Sequence, residues 1–249
     1  MGRLTTIDLN ADLGEGYSDN EILPYISSCN IACGGHIGDE KSVRDTIRLC
    51  IKNNVAIGAH PSYPDKENFG RKSISIDLNE LTASIKKQID LVYRICQEEA
   101  VTMHHIKAHG ALYNDMAKDE KIASKILANW QDNYPNVIVY TLSNSPAYHI
   151  AKTMKINAQG EVFADRAYAN ATQLMSRQFP NAVLQEKKAI IEQVDQFLNS
   201  KITDTNGLTH TLTVDTICLH GDTVGAVQIA KDIYHHLKSL NVNITALRG

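Results

Sequence analysis

Short apolar runs alternate along this chain with longer runs in which apolar residues recur every three or four positions. The stretch from Glu40 to Asn53 has the longer period, with Val43, Ile47 and Cys50 on one side of a helix. The stretch from Leu4 to Leu9 is short and apolar, as a buried strand is. The pattern therefore predicts a chain of alternating strands and helices.

Seven strands and six helices are predicted in this way. The strands are Leu4–Leu9, the run that begins at Ser28 and breaks at Gly34-Gly35, Val55–Ala59, Val101–Lys107, Asn136–Leu142, Ile156–Ala164 with a break at Gly160, and Thr216–Leu219. The helices are Glu40–Asn53, Leu78–Glu99, Asp119–Asn133, Ser145–Met154, Gln185–Asn199 and Val224–Leu240. Smaller features are a helical turn at Glu21–Ile26, a polar hairpin within Ile202–Val214, a closing stretch at Val242–Leu247, and loops over Pro61–Ser75 and around Tyr168, Asn170 and Arg177.

Strands that alternate with helices form parallel sheets with right-handed crossovers. Seven or eight such units within 249 residues favour a closed barrel over an open sheet. We therefore expect one α/β barrel domain over residues 1–249.

The composition excludes several classes of protein. A net charge of −3 leaves no broad basic surface for nucleic acid, and no segment approaches the roughly 20 apolar residues of a membrane helix. The start of the chain leads directly into a strand, without a signal-peptide core. Five cysteines without a Cys-x-x-Cys pair indicate buried thiols in a reducing cytoplasm, although Cys29 and Cys33 could also ligate a metal.

Polar side chains gather where predicted strands end. They are Asn10 and Asp12, His36, His60, Lys107 and His109, Glu161 and Asp165, and His220 and Asp222. In a parallel barrel these positions share one rim, which is where such barrels carry their active sites. The rim is therefore predicted to hold a catalytic or metal-binding cavity. The pairs His104-His105 and His235-His236 lie away from strand ends and are interpreted as surface or packing residues.

Two stretches near this rim have special local chemistry. After the second strand, Gly34-Gly35 allows a tight turn that presents His36, and Asp39 can cap the following helix. The loop Pro61–Ser75 places an exposed aromatic residue, Phe69, beside Arg71 and a lysine. Loops of this length are often functional.

The same segments resemble the motifs of the LamB/YcsF family, in order and over essentially the whole chain. They are Asp8–Glu15 (DLNADLGE), Asn30–Asp39 (NIACGGHIGD), Gly58–Asp65 (GAHPSYPD), Lys107–Tyr113 (KAHGALY), Phe163–Tyr168 (FADRAY) and His220–Asp222 (HGD). Three positions depart from the family pattern: Ala11 stands where cysteine is common, Ala108 where proline is common, and Asn68 where glycine is usual. The first two departures remove no evident acid, base or ligand, so activity is expected to be kept, whereas Asn68 is expected to alter its loop.

The resemblance implies a seven-stranded variant of the TIM barrel, a (β/α)7 fold similar to the glycoside hydrolase/deacetylase superfamily. It also implies the A subunit of a bacterial 5-oxoprolinase, which opens 5-oxo-L-proline to L-glutamate with ATP hydrolysis and two partner subunits, B and C. The chain contains no Gly-x-x-x-x-Gly-Lys-[Ser/Thr] phosphate loop. We therefore expect ATP to be handled largely by a partner subunit or at a shared interface.

Opening a lactam requires an activated nucleophile, oxyanion stabilisation and a proton for the leaving nitrogen. The predicted catalytic residues are Asp12 and Glu161 as bases, Lys107 as a cation and His109 as an acid. Arg166 is a second cation suited to a carboxylate or phosphoryl group. The predicted substrate-binding residues are Asn10, His36, His60, Arg71, Asp165, Arg166 and His220.

A divalent metal is the alternative use of the same rim, with Asp12, His36 and His60 as ligands, as in the Asp-His-His sets of deacetylases. Two other functions therefore stay open: a metal-dependent deacetylase or amidohydrolase that acts alone, and a non-enzymatic protein that senses a small acid. The oligomeric state is also open, a homo-oligomer included.

Overall fold

The structure is a computed structural model that describes residues 2–17, 19–221 and 225–247. Its first six strands are β1 (Thr6–Leu13), β2 (Ser28–Ala32), β3 (Ala56–His60), β4 (Met103–Lys107), β5 (Ile138–Leu142) and β6 (Ala158–Phe163). The others are β7 (Tyr168–Asn170), β8 (Gln173–Leu174), β9 (Lys201–Thr203), β10 (Thr209–Thr211), β11 (Thr216–Leu219) and β12 (Asn243–Ile244).

Most of the helices lie between these strands along the chain. They are α1 (Asp19–Ile22, continued by a 3-10 turn at Leu23–Tyr25), α2 (Glu40–Asn53), α3 (Leu78–Glu98), α4 (Gly110–Met116), α5 (Glu120–Asn133), α6 (Pro146–Thr153), α7 (Lys187–Leu198) and α8 (Ala226–Ser239). Val224, the predicted first residue of the last helix, lies outside the described residues. Within the described chain, no helix combines the length and apolar character that crossing a membrane requires.

Seven parallel strands close into a barrel in the order β1 to β6 and then β11. Strand β11 pairs with β6 on one side and with β1 on the other, where Asp8 lies opposite Thr216. Strand β12 adds to the beginning of β1 outside this ring. The predicted (β/α)7 variant of the TIM barrel is therefore confirmed.

Helix α2 shows how local sequence sets the element boundaries. The Asp39 carboxylate accepts the backbone N–H of Ser42 at 2.8 Å, and the Ser42 hydroxyl accepts the Asp39 N–H in return. At the other end Asn54 adopts a left-handed conformation that stops the helix. The apolar face with Val43 and Ile47 is fully buried, as the periodicity predicts.

The barrel interior is polar, whereas the apolar core lies between the strands and the helices. Along β1, Ile7, Leu9 and Leu13 belong to that outer core. Asp8, between Ile7 and Leu9, points into the barrel instead. Its carboxylate accepts hydrogen bonds of 2.6 to 3.0 Å from four hydroxyl groups: those of Ser28, Tyr140 and Thr216 on three other strands, and that of Ser27 just before β2. Most TIM barrels fill this space with branched apolar side chains. The polar interior continues up to the rim and supports the site there.

Several local predictions are corrected by the structure. Strand β6 is continuous through Gly160, where the missing side chain lets the backbone of Thr213 approach; a Cβ would lie 2.7 Å from the Thr213 oxygen. Helix α4 and the small hairpin of β7 and β8 were not predicted. The polar hairpin within Ile202–Val214 is confirmed as β9 and β10.

Candidate active site

A cavity of about 300 Å³ opens at the carboxyl ends of the barrel strands. Seven of the predicted site residues line it: Asp12, His60, Arg71, Lys107, His109, Arg166 and His220. The other four lie beside or beneath it, as described below. Asp222, also predicted for this rim, lies outside the described residues.

Lys107 forms the floor of the cavity at the end of β4. Its Nζ atom lies 3.0 Å from Oδ1 of Asp12, 3.0 Å from Oε1 of Glu161 and 2.9 Å from Sγ of Cys218. Burial disfavours the ammonium, but the negative charges around it outweigh burial and raise the pKa of Lys107 well above its ordinary value. Lys107 is therefore a fixed positive charge.

Asn10 and Glu161 lie beneath this floor. Asn10 precedes Asp12 by two residues on β1, which places it roughly 7 Å deeper in the barrel. Its Nδ2 atom donates to Oε1 of Glu161 at 3.0 Å and to Thr216 at 2.7 Å. Asn10 therefore fixes Glu161 from below and does not line the cavity.

The rings of His60 and His109 contact each other in the wall of the cavity. Nε2 of His60 and Nδ1 of His109 lie 3.0 Å apart. The outer nitrogen of each ring donates to a backbone carbonyl: Nδ1 of His60 to Lys107 O at 2.8 Å, and Nε2 of His109 to Phe69 O at 3.0 Å. Because a carbonyl can only accept, the inner nitrogen of either ring carries no proton when that ring is neutral, and the two inner nitrogens point at each other.

Two carboxylates complete this convergence. Oδ2 of Asp12 lies 3.4 Å from Nε2 of His60, and Oε1 of Glu15 lies 3.4 Å from Nδ1 of His109. The four ligand atoms lie within 4.8 Å of one another. Protein ligands bind zinc at about 2.0–2.2 Å, so atoms 3.0–3.4 Å apart can share one ion. This buried cluster fits a divalent metal.

The predicted ligand His36 is not part of this set. Its Nε2 atom donates to Oε1 of Glu15 at 2.9 Å, and its ring stacks flat on His109 with centroids 3.7 Å apart. Burial and then the charge of His60 lower the pKa of His36 to about 3, so the ring is neutral. His36 therefore positions Glu15 and His109. Phe69, predicted to be exposed, is half-buried with its ring edge-to-face against His36 at 5.0 Å.

A second group of acid, thiol and imidazole does not suit a metal. Asp12, Cys218 and His220 converge, but the Lys107 ammonium already lies between the first two, at 3.0 Å and 2.9 Å. Cys29 and Cys33 are buried, and Sγ of Cys29 lies 3.1 Å from Sγ of Cys50 in the core. The interpretation of these cysteines as core thiols agrees with this packing.

His220 and Asp165, which follow β11 and β6, form a hydrogen-bonded pair beside Asp12. Nδ1 of His220 lies 2.9 Å from Oδ1 of Asp165, and the imidazole stacks on Phe163. A carboxylate at Nδ1 fixes the tautomer and leaves Nε2 as the other polar atom of the ring. Asp165 therefore orients His220, and His220 lines the cavity.

Glu15 and Tyr113 were missed as site residues although both lie within motifs already noted. Gly14, with a φ of 74°, turns the chain after β1 and brings Glu15 back over the barrel. Tyr113 lines the cavity from α4, a helix that the sequence did not reveal. The signal for Glu15 was the second carboxylate of the stretch Asp12–Glu15.

The chain is similar to known proteins along nearly its whole length. The model of the LamB/YcsF family matches residues 7–249. A protein from Pyrococcus abyssi (strain GE5 / Orsay), named as the A subunit of 5-oxoprolinase, is 40% identical over 249 residues, which cover 97% of this chain and 98% of that protein. Its namesake from Haemophilus influenzae (strain PittEE) is 40% identical over 242 residues, with 96% and 99% covered.

A solved structure shares the whole architecture. The crystal structure of the lactam utilization protein from Thermus thermophilus superimposes with a TM-score of 0.90 at 29% sequence identity. The match covers 97% of this chain and 100% of that one.

Proposed function

Because the chain belongs to the LamB/YcsF family, we propose that it is the A subunit of an ATP-dependent 5-oxoprolinase. The observation that carries this proposal is its 40% identity, over nearly the full length of both chains, to proteins named as A subunits of 5-oxoprolinase. The proposed reaction adds water to the lactam carbonyl of 5-oxo-L-proline and breaks the C–N bond to give L-glutamate. ATP hydrolysis to ADP and phosphate accompanies it.

The cavity floor supplies a fixed charge for this chemistry. The Lys107 ammonium lies beside Asp12 and Glu161, where it can stabilise the oxyanion that forms as water adds to the carbonyl carbon. Glu161 holds Lys107 from below and leaves one carboxylate oxygen without a partner among the described residues. Asp12 and Glu161, each 3.0 Å from the Lys107 ammonium, are the two proposed bases.

The proton for the leaving nitrogen has two sources in the cavity. His109 is the predicted acid, but its two ring nitrogens face Phe69 O and His60. His220 is oriented by Asp165 at 2.9 Å, in the manner in which a carboxylate orients a catalytic imidazole. We therefore add His220 to the predicted catalytic group as a proton donor.

The cluster of Asp12, Glu15, His60 and His109 is the proposed site of a divalent metal. A metal held there would polarise the amide carbonyl and lower the pKa of water. In that case Asp12 and His109 serve as ligands and not as base and acid, and His36 positions the set through Glu15. The convergence of two ring nitrogens and two carboxylate oxygens within 4.8 Å supports this assignment.

Partner subunits B and C are proposed to contribute the nucleotide site, since the chain has no phosphate-loop motif. The five buried, unpaired cysteines support a reducing compartment, and we place the complex in the cytoplasm.

The test is reconstitution with the neighbouring candidate subunits. Glutamate release from 5-oxoproline should require ATP and all subunits, and the chain alone should turn over neither compound at a useful rate. Steady glutamate production by the purified chain without partners would contradict the proposal that the partner subunits contribute the nucleotide site. No release by the complete set would contradict the proposed reaction.

The metal-ligand cluster favours a second candidate, a metal-dependent amidohydrolase that acts alone. That candidate requires metal-dependent amide or acetyl hydrolysis by the single chain, without ATP. Assays of the same preparation with metal alone and with ATP plus partners therefore separate the two functions.

A further inference from the structure

The cavity has two chemically different walls. Carboxylates and imidazoles occupy the wall next to β1 and β3, as described for the metal-ligand cluster. The rest of the lining includes four cationic side chains, called here the cationic wall, from three separate segments: Arg71 from the β3–α3 loop, Lys118 after α4, and Arg166 and Arg177 from the region between β6 and α7. A substrate with an anionic end would place that end at these cations.

Arg166 is the buried centre of the cationic wall. Its side chain is almost fully buried, and two of its donors are used on the backbone: Nε on Ala182 O at 3.2 Å and Nη2 on Met175 O at 2.6 Å. These bonds fix the guanidinium and attach the segment that carries Arg177 to the barrel. Burial and then the nearby charges of Arg177 and Arg71 lower the pKa of Arg166 to about 10.

The four cationic side chains give this part of the cavity a positive potential that attracts an anion. Arg166 is fixed by its two backbone bonds, and the guanidinium of Arg71 lies over the Phe69 ring at 5.2 Å. An ordered set of guanidinium and ammonium groups is the usual receptor for an oxyanion.

We propose that this wall is an oxyanion subsite in which Arg177 and Lys118, with Arg166, hold the anionic end of the substrate. The subsite would direct the amide of a lactam acid toward Lys107 and the metal-ligand cluster. The oxyanion could be the substrate's own carboxylate or a phosphoryl group from the ATP-dependent step, since both bind the same donors. The inference rests on the proposed function for the choice of lactam and goes beyond it in assigning Arg177 and Lys118.

The experiment uses the reconstituted complex and compares an anionic with a neutral lactam. Arg177→Gln and Lys118→Gln are each expected to raise KM for 5-oxoproline about ten-fold, the effect of losing one charge-assisted hydrogen bond. The kcat should stay within about two-fold, and the inhibition constant of 2-pyrrolidone, which lacks a carboxylate, should not change. Arg177→Lys should restore part of the affinity.

A matched control and a second probe complete the design. Arg48→Gln removes a cation from α2, where Arg48 pairs with Glu99 on the outer surface, and should leave KM unchanged. Inorganic phosphate is tested as an inhibitor of each variant: weaker inhibition with an unchanged KM would assign the subsite to a phosphoryl group. Unchanged KM and unchanged phosphate inhibition in both variants would overturn the subsite. Absence of glutamate release by the wild-type complex would instead count against the proposed function.

Discussion

Nε2 of His60 and Nδ1 of His109 lie 3.0 Å apart, and the other nitrogen of each ring donates to a backbone carbonyl. In neutral rings this arrangement directs two lone pairs at each other, which is repulsive unless a proton or a metal lies between them. The carboxylates of Asp12 and Glu15 complete a set of oxygen and nitrogen ligands. The close approach of these two histidines, which follow different strands, therefore makes this part of the cavity suited to a divalent metal.

The first prediction concerns metal content. The purified chain should bind a divalent metal such as zinc or manganese, and removal by EDTA should lower the melting temperature, because a ligand that binds only the folded state stabilises it. His60→Gln should abolish binding and with it the effect of EDTA. His36→Gln should weaken binding about 10- to 100-fold without abolishing it, as loss of a positioning partner does. Elemental analysis that finds no metal, with a melting temperature indifferent to added metal and EDTA, would exclude the site.

The second prediction distinguishes the roles of Asp12 and Glu161, the two carboxylates that contact Lys107. Burial opposes the charge of Asp12, but His60 and Lys107 lower its pKa well below the ordinary value, so the residue is an anion. Asp12→Asn should lower turnover of the complex about 10²–10⁴-fold and remove the metal. Glu161→Gln also takes a carboxylate from Lys107 but should leave metal binding intact.

Both variants should lower the free energy of unfolding by about 1–3 kcal/mol, since the buried ammonium of Lys107 keeps only one carboxylate. Turnover, metal content and denaturant unfolding are measured on the same preparations. A fully active Asp12→Asn complex would rule out the role assigned to Asp12.

The third prediction concerns stability against pH. His105 is buried in the barrel, where burial first and then the charges of His104 and Lys107 lower its pKa well below 6.5. Above about pH 6.5 the ring is neutral in both states and contributes no pH dependence. Below that value the unfolded chain binds a proton that the folded chain does not, so stability falls as the pH falls, by up to about 1.4 kcal/mol per pH unit.

His105→Gln should therefore flatten the decline of the melting temperature between about pH 6.5 and pH 4.5. His149→Gln, at an exposed position on α6, is the control and should follow the wild type. Parallel profiles for His105→Gln and the wild type would show that His105 does not control this decline.

The fourth prediction tests the packing of the polar interior. Gly58 on β3 lies opposite His105 on β4, and a Cβ at Gly58 would lie 2.2 Å from Nε2 of His105. The ring cannot easily move, since it donates to Asn30 at 2.7 Å and stacks on Tyr140 at 4.0 Å. Gly58→Ala should lower the free energy of unfolding by about 1–3 kcal/mol.

A double-mutant cycle isolates this contact. With His105→Ala already in place, Gly58→Ala should cost little further, because the clashing ring is gone. An equal cost in both backgrounds would mean that the loss at Gly58 comes from the backbone and not from the ring.

Much of the fold followed from local signals. The two periods of apolar residues predicted the barrel strands and most helices, and Asp39 marked the start of α2. Helix α4 was not predicted because seven residues are too few to show a periodic pattern. The predicted break at Gly160 was wrong because the missing side chain allows the backbone of Thr213 to approach and does not interrupt the strand.

The strand pattern was enough to predict that His60, Lys107, His109 and His220 share one rim, since the carboxyl ends of parallel strands all lie on the same side of a barrel. It could not determine which side chains would touch. Each residue of a strand changes the depth by roughly 3.3 Å and reverses the facing direction, so register decided that Asn10 supports the floor while Asp12 lines the cavity. A single turn at Gly14 decided that Glu15, and not His36, joins the two histidines. Contacts between distant segments form only when the barrel closes, so the set of ligands depends on how the whole chain folds.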